Sequence, residues 1–256
     1  MTDNVQRRAV LGIDIGGSGV KAAPVDLTTG EFTEDRERLK TPRPATPQAV
    51  GDVVEQLVER FLDRLDAGPI GITIPAVAQN GVARSAANID DSWLDVDVDA
   101  LFTRRLGRPV HVVNDADAAG VAEARYGAAR DVDGLVVLTT LGTGIGSALL
   151  VGGALVPNSE LGHLEIDGQD AETRAAQSVM EREDLSYEEW AKRLQRFYRH
   201  VEDLLWPELF VVGGGVSKKA DQFLPYLDLR TPIVPARLRN SAGIVGAACL
   251  ADEFGS

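Results

Sequence analysis

A carboxylate that could act as a general base stands at Asp115, directly after the apolar run at residues 109–113. The run ends at the pair Asn114-Asp115, and small residues typical of a helix follow. Ligands of open α/β sheets bind where the strands end, so a substrate is expected near this carboxylate. A carboxylate there can accept the proton of a hydroxyl nucleophile, for example as a phosphoryl group arrives. The alternative role, capping the helix, suits Asp117 better.

Two glycine-rich turns beside apolar runs could hold phosphate groups. The first covers residues 14–21 and the second residues 140–146. Backbone N–H groups of such turns approach phosphate oxygens closely, and hydroxyl and ammonium groups add donors. A plain hairpin is the alternative for each turn, and their joint presence favours phosphate binding. The predicted phosphate-binding residues are Gly16, Gly17, Ser18, Gly19, Lys21, Thr140, Gly142, Thr143 and Gly144.

Asp14 ends the first predicted strand and could hold Mg²⁺ through water, because hard cations prefer oxygen ligands. A third glycine turn follows another apolar run and opens a predicted helix, where its amides could meet an anion or a nucleotide. Helix–sheet packing is the alternative for these glycines, Gly213, Gly214 and Gly215. Basic side chains near this turn could guide a polyanion or form an ordinary solvated surface: Lys218, Lys219, Arg237 and Arg239.

The stretch Glu160-Leu161-Gly162-His163-Leu164-Glu165 combines carboxylates with an imidazole. This combination suits recognition of adjacent sugar hydroxyls. A glutamate and a histidine at this spacing could also bind a metal, but no further histidine or cysteine lies nearby. Taken alone, His163 fits a structural role as well as a functional one.

The elements that position these residues follow from local patterns. Residues 9–15 predict a buried strand, and residues 20–26 predict its hairpin partner, so the first glycine turn is strand–turn–strand and not a dinucleotide fingerprint. Thr46 and Pro47 predict a helix start, and Ser186 with Glu189 predicts a capping box. Further strands are predicted at 31–40, 70–74, 109–113, 135–140, 147–151, 209–212 and 232–234, and helices at 99–106, 116–126, 171–183 and 242–252.

Composition limits the class of protein. The chain has 256 residues and a formal net charge of −13, which disfavours a nucleic-acid binder. Cys249 is the only cysteine, so an intramolecular disulfide and a cysteine-based zinc site are both excluded. No signal peptide and no membrane-spanning apolar run are recognisable, so we expect a cytoplasmic protein with no membrane partner.

Taken together, these motifs resemble those of the ROK family of sugar kinases, in the actin/hexokinase-like superfamily. The two phosphate turns, the Asn114-Asp115 segment, the Glu160–His163 motif and the Gly213–Gly215 turn occur in the family's order. The resemblance implies an α/β, two-lobed actin/hexokinase-like (ribonuclease H-like) fold with a cleft between the lobes. We expect residues 1–115 to form the N-terminal lobe and residues 116–240 the C-terminal lobe. The C-terminal helix, residues 241–256, is expected to pack back on the first lobe.

The resemblance also implies roles for the residues. Asp115 takes the proton of the sugar 6-hydroxyl, while the glycine turns and Mg²⁺ hold the transferring phosphate. The expected sugar ligands are Asn88, Asn114, Glu160, His163 and Glu165, with Glu181 as the alternative to Glu165. Gly213, Gly214, Gly215, Lys218 and Lys219 are expected to contact a nucleotide or polyphosphate donor.

One departure from the family pattern indicates which branch of the family the chain resembles. Many members carry a cysteine-rich zinc element after the histidine, but residues 164–183 contain no cysteine, so no zinc is expected. A short, zinc-free chain with Asp170-Ala171-Glu172 is similar to the branch that phosphorylates glucose from inorganic polyphosphate and often also from ATP. We therefore expect glucose as acceptor with mannose as a second one, polyphosphate and ATP as donors, and a homodimer. An ATP-only hexokinase, a non-catalytic sugar-binding protein and a repressor are the alternatives.

Overall fold

The computed structural model describes residues 9–65, 68–86 and 89–255. The chain divides into two compact units. The first runs to Ala118 and takes up the chain again from Gly243, and the second covers Ala119–Ala242. Asn88, an expected sugar ligand, lies outside the described residues.

The described strands and helices lie as follows. The strands are β1 (Ala9–Gly16), β2 (Gly19–Asp26), β3 (Glu31–Phe32), β4 (Glu37–Leu39), β5 (Ile70–Ile74), β6 (Ala78–Gln79), β7 (Val82–Ala83), β8 (Val110–Asn114), β9 (Leu135–Leu141), β10 (Ile145–Val151), β11 (Ala154–Val156), β12 (Glu165–Ile166), β13 (Gln169–Asp170), β14 (Leu209–Gly213) and β15 (Ile233–Pro235). The helices are α1 (Pro47–Glu59), α2 (Val98–Leu106), α3 (Asp115–Tyr126), α4 (Glu172–Ala175), α5 (Gln177–Arg182), α6 (Tyr187–Leu205) and α7 (Ala242–Phe254).

The first unit is built on a six-stranded sheet in the order β3-β2-β1-β5-β8, with β4 also pairing β2. Strands β1 and β2 form the predicted antiparallel hairpin, while β5 and β8 run parallel to β1. The single strand predicted over residues 31–40 is wrong, because β3 and β4 are separate short strands. Side chains of β1, β5, α1 and α2 share one buried apolar core.

Helix α7 lies directly against the sheet of the first unit. A Cβ on Gly12 would lie 2.0 Å from the Ile244 carbonyl oxygen, and one on Gly71 would lie 2.0 Å from the Ala247 carbonyl oxygen. Only glycine at both positions lets the helix backbone approach β1 and β5 this closely. The sequence predicted this small-residue helix at 242–252, and the structure extends it to Phe254.

The second unit contains a five-stranded sheet in the order β11-β10-β9-β14-β15. Strands β9 and β10 form the predicted hairpin, and β14 runs parallel to β9. Helix α6 begins at the predicted capping box of Ser186 and Glu189 and packs its apolar stripe against the sheet.

One local prediction is wrong in the second unit. The helix predicted over 171–183 is broken at Ala176, whose backbone is extended, with φ −61° and ψ 153°. The break brings Ser178 to the second glycine turn, where its N–H donates to the Gly142 carbonyl at 3.0 Å. Residues 158–168 contain a 3₁₀ turn at Leu161–His163 and the first strand of the β12–β13 hairpin. Among the described residues, no helix is long and apolar enough to cross a membrane.

Candidate functional site

A row of polar side chains crosses the sheet of the first unit. Asp14 on β1 faces Lys21 on β2 and Thr73 on β5, and Lys21 in turn faces Arg38 on β4. The Lys21 ammonium lies 2.8 Å from Asp14 Oδ2, and the Thr73 hydroxyl donates to Asp14 Oδ1 at 3.0 Å. Residues directly opposite each other in a sheet point to the same face, so this row places a carboxylate beside two cations and a hydroxyl.

The first glycine turn is enclosed by β4 and the segment that follows it. The Arg38 guanidinium donates to the Ser18 carbonyl at 3.1 Å, and a Cβ on Gly19 would lie 2.5 Å from Arg38 Nε. On the other side of the turn, the Thr41 hydroxyl donates to the Gly16 carbonyl. The structure therefore brings Gly16, Ser18, Gly19 and Lys21 together as predicted. It adds Arg38, which no sequence motif indicated.

Asn114 caps helix α3, a role that the sequence had suggested for Asp117. The Oδ1 of Asn114 accepts the N–H groups of Ala116 at 2.8 Å and Asp117 at 3.1 Å. Its Nδ2 donates to the Ala76 carbonyl at 3.1 Å, which ties the end of β8 to the segment after β5. Asn114 is buried, so its amide mainly holds the strand end in place and has one N–H group left for a ligand.

Asp115 is the first residue of helix α3 and is half-buried. Its side chain accepts the N–H of Ala116 at 2.8 Å. Helix α7 packs against the start of α3, because a Cβ on Gly246 would lie 1.8 Å from the Ala118 carbonyl oxygen. The Asp115 carboxylate thus lies at the carboxyl end of β8, and α7 packs against the helix that carries it.

The glycine turns of the second unit touch each other. Gly213 pairs with Thr140 across β14 and β9. Gly214 has a φ of 82°, and a Cβ there would lie 2.3 Å from the Leu141 carbonyl oxygen. Glycine is required at this position for both its backbone angle and its close approach. The predicted residues at 140–144 and 213–215 therefore form one continuous surface of backbone groups.

Glu172 holds the second glycine turn. Its Oε2 accepts the Ile145 N–H at 3.0 Å, and a Cβ on Gly144 would lie 2.3 Å from the same oxygen. The Ser178 hydroxyl donates to the Thr143 carbonyl at 2.6 Å on the other side of the turn. The turn is therefore fixed by side chains that no sequence motif had assigned to it.

Glu172 also lies close enough to Glu160 and His163 for its charge to act on both groups. His163 Nδ1 lies 3.2 Å from Asp170 Oδ2, and His163 Nε2 lies 4.0 Å from Glu160 Oε2. Partial removal from water raises the pKa of Glu160, and the charge of Glu172 acts in the same direction. The hydrogen bond to Asp170 raises the pKa of His163, with the charges of Glu172 and Glu160 adding to it.

The two glutamates expected to complete this cluster do not take part in it. Glu165 is exposed on β12 and, in the part of the chain that the structure describes, its side chain makes no hydrogen bond or ion pair. Glu181 accepts a hydrogen bond from Gln177 at 2.7 Å. Glu172, to which the sequence analysis had given no role, is the glutamate whose charge acts on both Glu160 and His163.

Comparison with known proteins identifies the family. The sequence model of the ROK family matches residues 10–177, more than half of the chain. The chain belongs to the ROK family. The resemblance stated from the motifs is therefore confirmed.

Three known proteins are similar to this ROK-family chain over most of its length. It is 51% identical over 243 residues to the polyphosphate glucokinase of Mycobacterium tuberculosis strain CDC 1551 / Oshkosh, covering 94% of this chain and 91% of that protein. It is 57% identical, with a TM-score of 0.93, to the inorganic polyphosphate/ATP-glucomannokinase of Arthrobacter sp. strain KM, covering 96% and 99% of the two chains. The ROK glucokinase of Streptomyces griseus, solved with glucose and AMPPNP, shares the fold at a TM-score of 0.82 and 24% identity, covering 96% and 99% of the two chains. The predicted actin/hexokinase-like α/β fold is confirmed.

The cations near the third glycine turn of this ROK-family chain lie at the surface. Lys218 and Lys219 are exposed on the 3₁₀ helix Gly215–Gln222. The Lys219 ammonium lies 5.8 Å from the centre of the Tyr187 ring. The backbone N–H of Arg237 donates to the buried Glu123 carboxylate at 3.1 Å, which fixes the loop that carries Arg237.

Asp14 has the chemistry for the predicted magnesium role. Mg²⁺ in kinases commonly keeps several waters and is held by one or two carboxylates together with the phosphates of the donor. A single half-buried carboxylate at a strand end fits that pattern, with Lys21 beside it to bind phosphate as well. Within the described residues, no group of three or more histidine, cysteine, aspartate or glutamate side chains forms a metal cage.

Proposed function

We propose that this chain is a polyphosphate glucokinase, which transfers a phosphoryl group from inorganic polyphosphate to the 6-hydroxyl of glucose. The observation that carries this proposal is the 51% identity, over 94% of the chain, to a polyphosphate glucokinase. The 57% identity to a polyphosphate/ATP-glucomannokinase supports ATP as a second donor and mannose as a second acceptor. We also propose that the protein is a cytoplasmic homodimer. Light scattering on the purified protein tests its oligomeric state.

Asp115 is the general base in this proposal. As the glucose 6-oxygen attacks the terminal phosphorus, its O–H bond breaks and the proton passes to the Asp115 carboxylate. The new O–P bond forms while the bridging P–O bond breaks, and the shortened polyphosphate leaves with the bond's electrons. The position of Asp115 at a strand end and helix start supports this role, because its backbone is fixed on both sides.

The donor phosphates are held by the glycine turns and by Lys21. The backbone amides of residues 16–19 and the Lys21 ammonium stabilise the negative charge of the transferring group. Asp14 would hold Mg²⁺ through water, and the bound ion would neutralise part of that charge. Thr140, Gly142, Thr143, Gly144 and the Gly213–Gly215 turn contribute the phosphate-binding surface of the second unit, with Lys218 and Lys219 nearby for a nucleotide or polyphosphate donor.

The sugar hydroxyls are bound by the cluster of Glu160, His163 and Glu172. Carboxylate oxygens accept hydrogen bonds from hydroxyl groups, and an imidazole nitrogen donates or accepts. We also expect Asn114 to bind a sugar hydroxyl through its remaining N–H. Glu172 is also hydrogen-bonded to the second glycine turn, so one side chain would serve both the sugar and the loop that holds phosphate.

A matrix of sugar-phosphorylation assays tests the proposed function. Glucose, mannose and N-acetylmannosamine are each combined with long-chain polyphosphate and with ATP, and the sugar 6-phosphate is measured. We expect glucose with polyphosphate to be the most efficient pair, as judged by kcat/KM. Turnover with ATP alone would replace the proposal by an ATP-dependent hexokinase. Sugar binding without turnover from either donor would indicate a binding protein.

A further inference from the structure

Three exposed cations border the first glycine turn on a chain whose net charge is −13. Arg38, Lys40 and Arg43 are all exposed or half-exposed. Within residues 9–65, 68–86 and 89–255, no carboxylate lies within ion-pair distance of any of the three. The neighbouring Glu37 is paired with Arg60 and therefore does not neutralise them.

Two of these cations, Arg38 and Arg43, lie at opposite ends of the turn. Arg38 donates to the Ser18 carbonyl and covers Gly19. Arg43 lines a cavity of about 280 Å³ together with Gly16 and Gly17. Lys40 lies between them in sequence, one residue beyond the end of β4, and is exposed.

One acidic residue also lines the cavity. Asp90 Oδ1 accepts the Ser92 N–H at 3.0 Å as well as the Ser92 hydroxyl. These hydrogen bonds lower the pKa of Asp90, so its carboxylate keeps its negative charge and opposes part of the attraction. The three cations Arg38, Lys40 and Arg43 outnumber this carboxylate, so a polyanion near the turn meets a net positive charge.

We propose that Arg38, Lys40 and Arg43 bind the distal phosphates of a linear inorganic polyphosphate whose terminal group lies at the first glycine turn. This inference rests on the proposed function, and it assigns the path of the polyphosphate to the first unit of the protein. A long polyanion gains from every cation along its path, whereas a short donor reaches only the nearest one. Arg38 touches the turn and serves both kinds of donor, while Lys40 and Arg43 serve the long chain only.

The test compares donors of different length in the double variant Lys40→Ala/Arg43→Ala. We expect KM for long-chain polyphosphate to rise about 5- to 30-fold, the range for the loss of two exposed charge contacts. The KM values for tripolyphosphate, ATP and glucose, and kcat, should stay within about twofold, because those ligands do not reach the two positions. The slope of log KM for long polyphosphate against log salt should fall by about 1–2.

Two further variants test whether the effect belongs to this path. Arg182→Ala/Lys192→Ala removes two exposed cations elsewhere, so it matches the change in net charge and should leave the donor KM values unchanged. Lys218→Ala/Lys219→Ala probes the rival path along the second unit. The proposal is overturned if that rival variant alone shows the chain-length effect, or if Lys40→Ala/Arg43→Ala changes all donors equally or none.

Direct binding of long-chain polyphosphate, followed by calorimetry without glucose, separates this inference from the proposed function. If the natural chain binds polyphosphate without turnover and the double variant loses that binding, the path is supported and the proposed reaction is wrong. If the natural chain turns over polyphosphate and the double variant binds it equally well, the reaction stands and the path is wrong. If the natural chain does not bind polyphosphate at all, both are wrong.

Discussion

His163 Nδ1 lies 3.2 Å from Asp170 Oδ2, and this hydrogen bond is the largest cause of the raised pKa of His163. The carboxylate holds the imidazole with Nδ1 protonated, so Nε2 faces Glu160. Because the folded-state pKa is raised, the pair stabilises the fold fully below the ordinary histidine value of 6.5 and loses that contribution as the pH rises through the folded pKa.

Replacing Asp170 by asparagine should lower the pKa of His163 toward its ordinary value, because the negative partner is lost while the side-chain shape is kept. Titration of the imidazole C–H signals by NMR measures this directly. The matched control is Asp167→Asn in the same hairpin, since Asp167 pairs with Arg196 and not with His163. An unchanged His163 pKa in Asp170→Asn would show that the hydrogen bond does not govern it.

Replacing Asp115 by alanine should lower kcat for glucose phosphorylation by roughly 10²–10⁴-fold, the usual contribution of a general base. Asp115→Asn keeps the side-chain size and the acceptor for the Ala116 N–H, and should lose a similar factor. The KM for glucose should change little, because the base acts on the proton in the transition state. Single-turnover kinetics with saturating sugar checks this. A kcat within about tenfold of the natural value in both variants would remove Asp115 from the mechanism.

Replacing Glu172 by glutamine should raise the KM for glucose by roughly 10- to 100-fold, as expected for losing a charged hydrogen-bond partner. Glu165→Gln and Glu181→Gln are matched controls with the same chemical change. Both should leave the KM within about twofold, because neither side chain joins the His163 cluster. A larger effect in either control than in Glu172→Gln would return the sugar-binding role to that glutamate.

Asp99 should make the protein lose stability as the pH rises. Burial raises its pKa from 3.8 to about 6, while the Val112 N–H donates to its Oδ1 at 2.7 Å. Between those two pH values the folded state binds more protons than the unfolded state, so the free energy of unfolding falls with increasing pH. The nearby titratable groups are Asp97 and His111, whose Nδ1 lies 3.9 Å from Asp99 Oδ2.

The variant Asp99→Asn keeps the acceptor and removes the buried charge. The difference in unfolding free energy between the variant and the natural chain should be more favourable to the variant at pH 7 than at pH 4. We expect this change to be on the order of 1–3 kcal/mol. Urea unfolding of both proteins at the two pH values measures this difference, and other titrating groups cancel in the comparison. An equal difference at both values would mean that Asp99 does not titrate in this window.

Local signals predicted much of the fold. The start of α1 at Thr46 and Pro47 and the capping box of α6 depend on residues within one helical turn, and both are confirmed. The β1–β2 hairpin is likewise set by a short glycine turn between two apolar runs. The helix predicted over 171–183 is wrong, because its break at Ala176 accompanies contacts of Ser178 with Gly142 and Thr143, which are remote in sequence.

The order of residues was enough to predict the chemistry: Asp115 follows an apolar strand, glycine turns precede Lys21 and follow Thr140, and Glu160 lies three residues before His163. These are short-range patterns, which need no knowledge of the folded chain. The folded structure was needed to show that the charge of Glu172 acts on His163, that Arg38 lies opposite Lys21, and that Asn114 caps α3. Strand register and close packing bring together side chains that lie far apart along the chain, and no local pattern encodes those distances.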